Sequence, residues 1–524
     1  MWSLAIKDLK LTGILRLLIG RMVRMDATTS FWNAISKRLN NYPELDKDIE
    51  VDVVIIGGGI TGITAANQLI KAGKKVAVLE ADKIGGVTTA SSTGNLYIPV
   101  QPFYQSIFSK FQLETAKTIA HSRKFAIDYI ESQIQEKNIN CQFHRRPWYA
   151  YSNQEERISL DKEVELFKKM DIGIDYIKTL PLSLKFKKAI VMPAQARFNP
   201  LQYVLSMAED LYKKGCYLFE NTRVLAVDEQ DYCTITTKNA TIKAHKVFIA
   251  THTPIGITNT HLFTAPYRSY VVAVTLKDKQ YPEGQFWDLD KHAHALCTHA
   301  ISEEHPELFM VAGSHHKTGQ GTNMQEHYHE LRTFLHEHFP VDKITYHWSA
   351  QHYHSPYIGL TSRSAKHTYM ATGYFADGLV YGTLAGIIVG DLLTKTPNPL
   401  IDTYQTNRVT VSASTPFLIR ENFNVFLQYL KDFPLFSNKD YNHLSSGEGK
   451  IFEINNEKCA VSRDEHNKLH FVSAVCTHMK GIVAWNNAEQ TWDCPCHGSR
   501  FTPQGTVIEG PATSDLKEKT PFNN

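Results

Sequence analysis

VDVVIIGGGITGITAANQLIKAGKKVAVLE, residues 51–80, decides the front of the chain. Its first seven residues are a short β-branched apolar run without polar alternation, the pattern of a strand buried on both faces of a parallel sheet. A helical period follows to about Gly73, with Ile63, Ala66 and Ile70 on one face, and KKVAVLE (74–80) reads as a second buried strand. Between strand and helix stands Gly57-Gly58-Gly59-Ile60-Thr61-Gly62, a G-x-G-x-x-G, and Glu80 ends the second strand 23 residues after Gly57. The motif alone is weak. Inside a β-α-β unit with an acid at that spacing it predicts a dinucleotide site. Gly57 makes the turn, Gly59 admits a pyrophosphate at the positive helix end that Ile60 and Thr61 open, Gly62 permits close helix–strand contact, and Glu80 accepts from a ribose hydroxyl.

Working outward, Ile84 to Thr89 and Ser91 to Asn95 form a polar loop rich in donors. RSYVVAVTL (268–276) and LFMVAGS (308–314) read as longer antiparallel strands of a separate layer, and VFIATHTP (247–254) as a strand ending in small and polar residues. TYMATGYF (368–375) returns to buried-strand character, and LVYGTLAGIIVGDLL (379–393) reads as a glycine-rich helix packed on a sheet. RFNPLQYV (197–204), AGSHHKTGQG (312–321) and TGYFADGL (372–379), with the β-α-β fingerprint, resemble the FAD-dependent oxidoreductases that include D-amino acid oxidase, glycine oxidase and sarcosine oxidase. The resemblance covers roughly 50–410. It implies FAD as cofactor, with Thr88 in the polar loop, Val224 at adenine, and Gly373 to Gly378 on the flavin side. Some members tether FAD through histidine or cysteine. Neither occurs from Gly85 to Asn95, so non-covalent FAD is expected. No second strand–glycine–helix unit follows, since Gly319-Gln320-Gly321 lacks that context, which disfavours a nicotinamide-reducing flavoenzyme.

Near the other end, CTHMKGIVAWNNAEQTWDCPCHGSRF (476–501) supplies Cys476-x-His478 and Cys494-x-x-His497. Four such ligands could hold zinc. The order is wrong for common fingers, and each loop offers one cysteine and one histidine. Two cysteines on one iron and two histidines on the other is the division of a Rieske [2Fe–2S] centre. CTHMKG and CPCHGSRF closely resemble the Rieske loops. High-potential members carry an extra cysteine in each loop, joined as a disulfide. Cys496 matches the second, but Gly481 stands in the first, so Cys496 is expected as a free thiol. Phe501 replaces a tyrosine hydroxyl, leaving fewer donors to sulfur and implying a potential in the lower half of the Rieske range.

Composition sets bounds. The 524 residues suffice for two to four domains, 56 basic against 53 acidic residues give no global reason to expect nucleic acid, and eight scattered cysteines suit a reducing, cytoplasmic compartment rather than a disulfide scaffold. Residues 1–25 carry five basic residues and one acid, with Leu4, Leu11, Leu15, Leu18 and Met22 on one helical face. They read either as a basic amphipathic helix making peripheral membrane contact or as a start before the true first residue at Met22 or Met25. Thirteen of 24 histidines fall between 292 and 354, without a metalloprotease signature. They are expected as a solvated, weakly metal-binding surface, with one member at the substrate pocket.

The resulting expectation is an α/β (α+β) Rossmann-type FAD-binding domain with an inserted antiparallel-sheet substrate domain, plus a small all-β C-terminal Rieske domain. Residues 1–49 form an extension and 50–415 the oxidoreductase, with FAD segments about 50–100, 195–255 and 355–410 and a substrate layer about 101–194 and 256–354. Residues 416–434 form a linker, and 435–524 the Rieske domain. The family implies oxidation of an amino acid or secondary amine, with electrons leaving singly through the cluster to an external acceptor. Arg268, with Tyr270, is either a bidentate grip for a substrate carboxylate or purely structural. Two rivals are a reductase or monooxygenase-like enzyme fed through the cluster, and a redox sensor without substrate chemistry.

Overall fold

The structure is a computed structural model of the chain. It describes residues 29–520 apart from 102, 154–157, 291–292, 301–306, 355–357, 361–365, 406–410 and 431–440, so the expected amphipathic segment 1–25 lies outside the described residues.

The fingerprint strand Ile49–Ile56 is central in a mostly parallel sheet, flanked by Val76–Leu79 and Thr241–Ile249. Tyr217–Phe219 extends one side and Thr368–Ala371 the other, both parallel. Val53 to Ile56 are buried, as an apolar run between two covered faces requires. Helix Ile60–Lys71 follows, and Gly62 meets the turn so closely that a Cβ there would lie 2.0 Å from the Gly57 carbonyl. Helix Gly378–Thr394 packs on this helix rather than primarily on a sheet, which corrects the sequence reading. Gly382, Gly386 and Gly390 recur every four residues on one face. A Cβ on each would fall 2.6 Å from Thr61 Oγ1, 2.7 Å from Thr61 O and 2.7 Å from Gln68 Cβ.

A second sheet runs Val341–His354, Ala265–Leu276, Leu308–Lys317, Ala295–His299, Gln285–Asp288, His144–Ser152, Lys188–Arg197, Asn95–Leu96. The two long strands read from sequence do pair antiparallel. Helix Gln325–His338 covers one face through Tyr328, Leu331 and Leu335, against Tyr270, Val272 and Val274. The other face, carrying Ser269 and Val271, turns toward the nucleotide sheet.

Two stretches differ from expectation. In the presumed extension, helix Phe31–Ile35 buries Phe31 and Trp32 completely against Leu201, Val271 and Trp348. Where a linker was expected, helix Val411–Leu430 runs through most of it. Beyond, two small antiparallel sheets, Gly449–Ile454 to Leu469–Ser473 and Ala484–Asn486 to Val507–Glu509, build the all-β module.

Candidate active site and cluster loops

A cavity of about 840 Å³ opens at the carboxyl ends of the nucleotide strands, beneath the second sheet. That is where open α/β sheets bind ligands, and its volume lies within the roughly 300–1,000 Å³ of cofactor pockets. Gly57, Gly59, Ile60, Thr61, Glu80, Thr88, Val224 and Gly378 line it. Gly62 and Gly373 are not in its wall: Gly62 packs inside the turn, and Gly373 (φ +77) bends the chain behind it. An added Cβ on Gly59 would meet only Thr89 Oγ1, at 3.3 Å, so this position leaves the cradle that a pyrophosphate needs. Glu80 accepts from Gly58 N (2.8 Å) and Asp82 N (3.0 Å). Burial raises its carboxyl above the usual range, against those two bonds. The residues present therefore fit FAD.

The polar loop is held from outside. Trp32 Nε1 donates to the Ser92 carbonyl (2.7 Å) and Trp348 Nε1 to that of Ser91 (2.8 Å). Inside, Thr88 Oγ1 lies 3.3 Å from His252 Nδ1. His252 adopts φ +65, just past the end of strand Thr241–Ile249, and burial lowers its pKa to about 4. Sequence reasoning did not single it out; its only signal was its place just beyond a parallel strand.

Arg268 and Tyr270 are not brought to the cavity. Strand alternation turns them to the opposite face from Ser269 and Val271, which line it. Tyr270 stacks on His327 (4.8 Å between ring centroids). Arg268 is almost wholly buried and pairs with two acids of the C-terminal module, Glu489 (2.9 Å) and Glu509 (3.4 Å). Arg500 joins the same network through Glu489 (2.7 Å), Glu509 (3.1 Å) and Asp493 (3.1 Å). The histidine-rich region also departs from expectation. His315, His352 and His354 line the cavity, while His316 is stacked against His327 on the far face.

The two cluster loops close as turns, Cys476 N donating to Gly481 O (2.8 Å) and Cys494 N to Ser499 O (2.8 Å). Cys476, Cys494 and His497 are buried. His497 Nδ1 is a buried nitrogen without a partner, and His478 Nε2 faces the Gly256 carbonyl at 3.1 Å, which leaves its Nδ1 available to a metal. Among the described residues no three His, Cys, Asp or Glu side chains converge as a single-ion site. The Cys476 and Cys494 side chains interact with each other, and the His478 and His497 rings lie 5.1 Å apart between centroids, so two thiols and two imidazoles are grouped as a [2Fe–2S] cluster requires. None of the eight cysteines is in a disulfide; a Cβ on Gly481 would lie 2.6 Å from Cys496 Sγ. Ser499 interacts with Cys476 and accepts from Ala512 N (3.0 Å).

The module seats its histidine edge against the larger domain. The His261 ring lies 4.7 Å from His478 and 5.3 Å from His497 between centroids. Burial, then the nearby His478, lower its pKa to about 4. Tyr353 and Gln351, both in the cavity wall, reach the second cluster loop: Tyr353 Oη donates to His497 O (3.2 Å) and Gln351 Nε2 to Gly498 O (2.9 Å). Ile508, Glu509, Gly510, Ala512 and Thr513 complete the cavity wall, and Arg223 donates to Val507 O (3.0 Å) beside Val224.

Residues 52–392 match the model of the FAD dependent oxidoreductase family, and residues 435–520 that of the Rieske [2Fe-2S] domain. The chain is similar to YhfW of Bacillus subtilis, described as a Rieske 2Fe-2S iron-sulfur protein: 34% identical over 503 residues, covering 94% of this chain and 98% of that one. It is 21% identical over 235 residues to gamma-glutamylputrescine oxidoreductase of Escherichia coli, covering 44% of this chain and 55% of that one. Among solved structures, glycine oxidase from Geobacillus kaustophilus shares the fold with a TM-score of 0.57 and 15% identity, covering 69% of this chain and 99% of that one.

Proposed function

The chain belongs to the FAD-dependent oxidoreductase family and ends in a Rieske domain, and from that premise we propose that it oxidises an amino acid or secondary amine at a C–N bond and exports the electrons singly to an external acceptor. The family and domain give it FAD and a [2Fe-2S] cluster. When bound, these supply two-electron hydride acceptance and one-electron carriage.

One observation carries the reading: the cavity that fits FAD is walled by the Rieske domain itself, with Tyr353 joining that wall to His497. A flavin site built this way has its one-electron partner at hand, which favours a dehydrogenase over an O₂-consuming oxidase. Gly57, Gly59, Ile60 and Thr61 would hold the pyrophosphate, Glu80 and Val224 the adenosine half, and Thr88 and Gly378 the flavin side. Cys476 and Cys494 would hold one iron, His478 and His497 the other. Tyr97, Phe103 and Trp287 meet edge-to-face in the cavity wall and offer apolar surface to a substrate's carbon chain. The amine class is supported by the names of gamma-glutamylputrescine oxidoreductase and glycine oxidase. A cytoplasmic setting suits eight cysteines of which none is in a disulfide.

The test is anaerobic mixing of holoprotein with glycine, sarcosine, L-proline, D-alanine and γ-glutamylputrescine. Flavin absorbance and the cluster's paramagnetic signal are followed separately. One amine should bleach the flavin, and the cluster signal should follow. In His497→Ala the bleaching should persist, while export to a bulky protein acceptor falls steeply. A panel that leaves the flavin oxidised sinks the amine reading; unchanged export without a cluster removes the cluster as outlet.

A further inference from the structure

We propose that His352, Ser269 and His315 form a proton relay that carries the proton of a substrate ammonium from the cavity to solvent, an inference that rests on the amine reading above. Ser269 Oγ lies 2.9 Å from His352 Nε2 and 2.6 Å from His315 Nδ1. One hydroxyl has one proton and two lone pairs, so it donates to one ring while accepting from the other. The chain is therefore polarised end to end.

Its ends lie in different surroundings. His352 is 7% exposed, lines the cavity, and has a buried Nδ1 without a partner. His315 is exposed. The backbone goes out of its way to bring them together. Ser269 and His352 share a face because strands Ala265–Leu276 and Val341–His354 pair Tyr267 with His352 and Ser269 with Ala350. On the other side the pairing with Leu308–Lys317 slips between Arg268 and Tyr270, leaving Ser314 and His315 opposite Ser269. Ser314 takes φ +53, a region that favours glycine, and this bulge re-aims His315 toward Ser269. Burial, then His354, His315, His252 and Arg268, keep the His352 imidazole neutral and able to accept. Tyr267 and His354 also stack against it. Beyond them, Glu421, Arg420 and Lys317 act on His354.

The transfer balances. The ammonium N–H bond breaks as an N–H bond forms at His352 Nδ1. The Nε2 proton of His352 passes to Ser269 Oγ as the hydroxyl's own proton passes to His315 Nδ1. His315 then releases its Nε2 proton to water. One proton leaves the substrate, one reaches solvent, no electrons move, and the amine is left neutral for hydride transfer. His352 meets the substrate, whereas Ser269 and His315 act through it. The chain regains its starting polarity when product leaves and water re-enters.

The test uses full-length holoprotein and whichever panel amine bleaches its flavin, with a pH-indicator dye in weak buffer. At pH 7, Ser269→Ala should slow both flavin reduction and dye-reported proton release by about 10²-fold, the scale of general acid–base assistance. The deficit should vanish as pH approaches the amine's own pKa, where substrate arrives deprotonated. Ser269→Thr should restore the rate, and added imidazole should rescue His315→Ala. In the resting ¹⁵N-histidine-labelled protein, Ser269→Ala should shift the His315 and His352 ring resonances together. A deficit equal at every pH, no deficit, no rescue, or no coupled shift overturns the relay while leaving amine oxidation intact. A wild-type flavin that no panel amine bleaches overturns the amine reading instead, and the relay with it.

Discussion

The hydroxyl of Tyr353, whose ring lines the nucleotide cavity, donates to the backbone carbonyl of His497 across 3.2 Å and accepts from Gln351 at 2.8 Å. This is a direct hydrogen-bonded path from the cavity wall to a residue proposed to hold the cluster. Tyr353→Phe leaves the His497 carbonyl without its donor, while Gln351 Nε2 keeps the Gly498 carbonyl, at a cost of about 1–3 kcal/mol. FAD and iron contents should be unchanged, and electron passage from flavin to cluster should slow. Stopped-flow absorbance of the flavin and freeze-quenched spectra of the cluster measure it; an unaltered transfer rate removes Tyr353 from the path.

Arg268 is the centre of a buried ion network that fastens the Rieske domain to the second sheet. Burial raises the Glu489 carboxyl, but Arg268 and Arg500 outweigh it and hold it below the usual range. Arg268→Ala should destabilise the holoprotein by about 3–5 kcal/mol, because it leaves Arg500 alone against the buried carboxylates of Glu489, Asp493 and Glu509. Urea unfolding gives the loss, and hydrogen exchange should rise around Ser349 and Glu489. If the arginine instead gripped substrate, amine affinity would collapse with stability unchanged.

Two glycines of the fingerprint should fail in different ways. Gly59→Val should leave a folded protein without flavin, since its side chain enters the cradle and meets only Thr89. Gly62→Ala should lose the fold, because its Cβ would overlap the Gly57 carbonyl. Circular dichroism and flavin content separate the two outcomes.

Acid should weaken the protein through histidines kept neutral by burial. His252 and His354 are lowered to about 4, by burial first in each case. An unfolded imidazole titrates near 6.5. Between those values the unfolded chain binds more protons than the native one, so stability is full above about pH 6.5 and falls as pH drops toward 4. The urea midpoint should trace this slope, and His252→Gln should flatten it; a slope unchanged in that variant would clear His252 of the effect.

Cofactor content gives the simplest check. The purified protein should hold one FAD, released entirely by acid precipitation, and iron with acid-labile sulfide, two of each. His478→Ala or Cys494→Ala should lose the iron and keep the flavin. Stoichiometric zinc, or yellow colour left in the pellet, would contradict the assignments.

Much of this was legible where chemistry is local in sequence. The glycine spacing and Glu80 announce the nucleotide turn, and the C-x-H and C-x-x-H loops announce the cluster, because each set of ligands lies within a few residues. Alternation in RSYVVAV separates Arg268 and Tyr270 from Ser269 and Val271. It cannot say which set meets the cavity, since tertiary packing chooses the face. Trp32 looked like part of an extension because its partner, the Ser92 carbonyl, is 60 residues away. The Arg268–Glu489 pair spans two domains and leaves no local pattern in either.

The Rieske strand Val507–Glu509 and the residues after it stand over the cavity, tied to Arg223 beside the adenine position. That placement predicts an order of maturation, with flavin entering before the C-terminal module settles and exchanging when that module lifts. Exchange against labelled FAD should therefore be slow in the intact holoprotein and quicken in Arg268→Ala; equal rates would show that flavin comes and goes by another door.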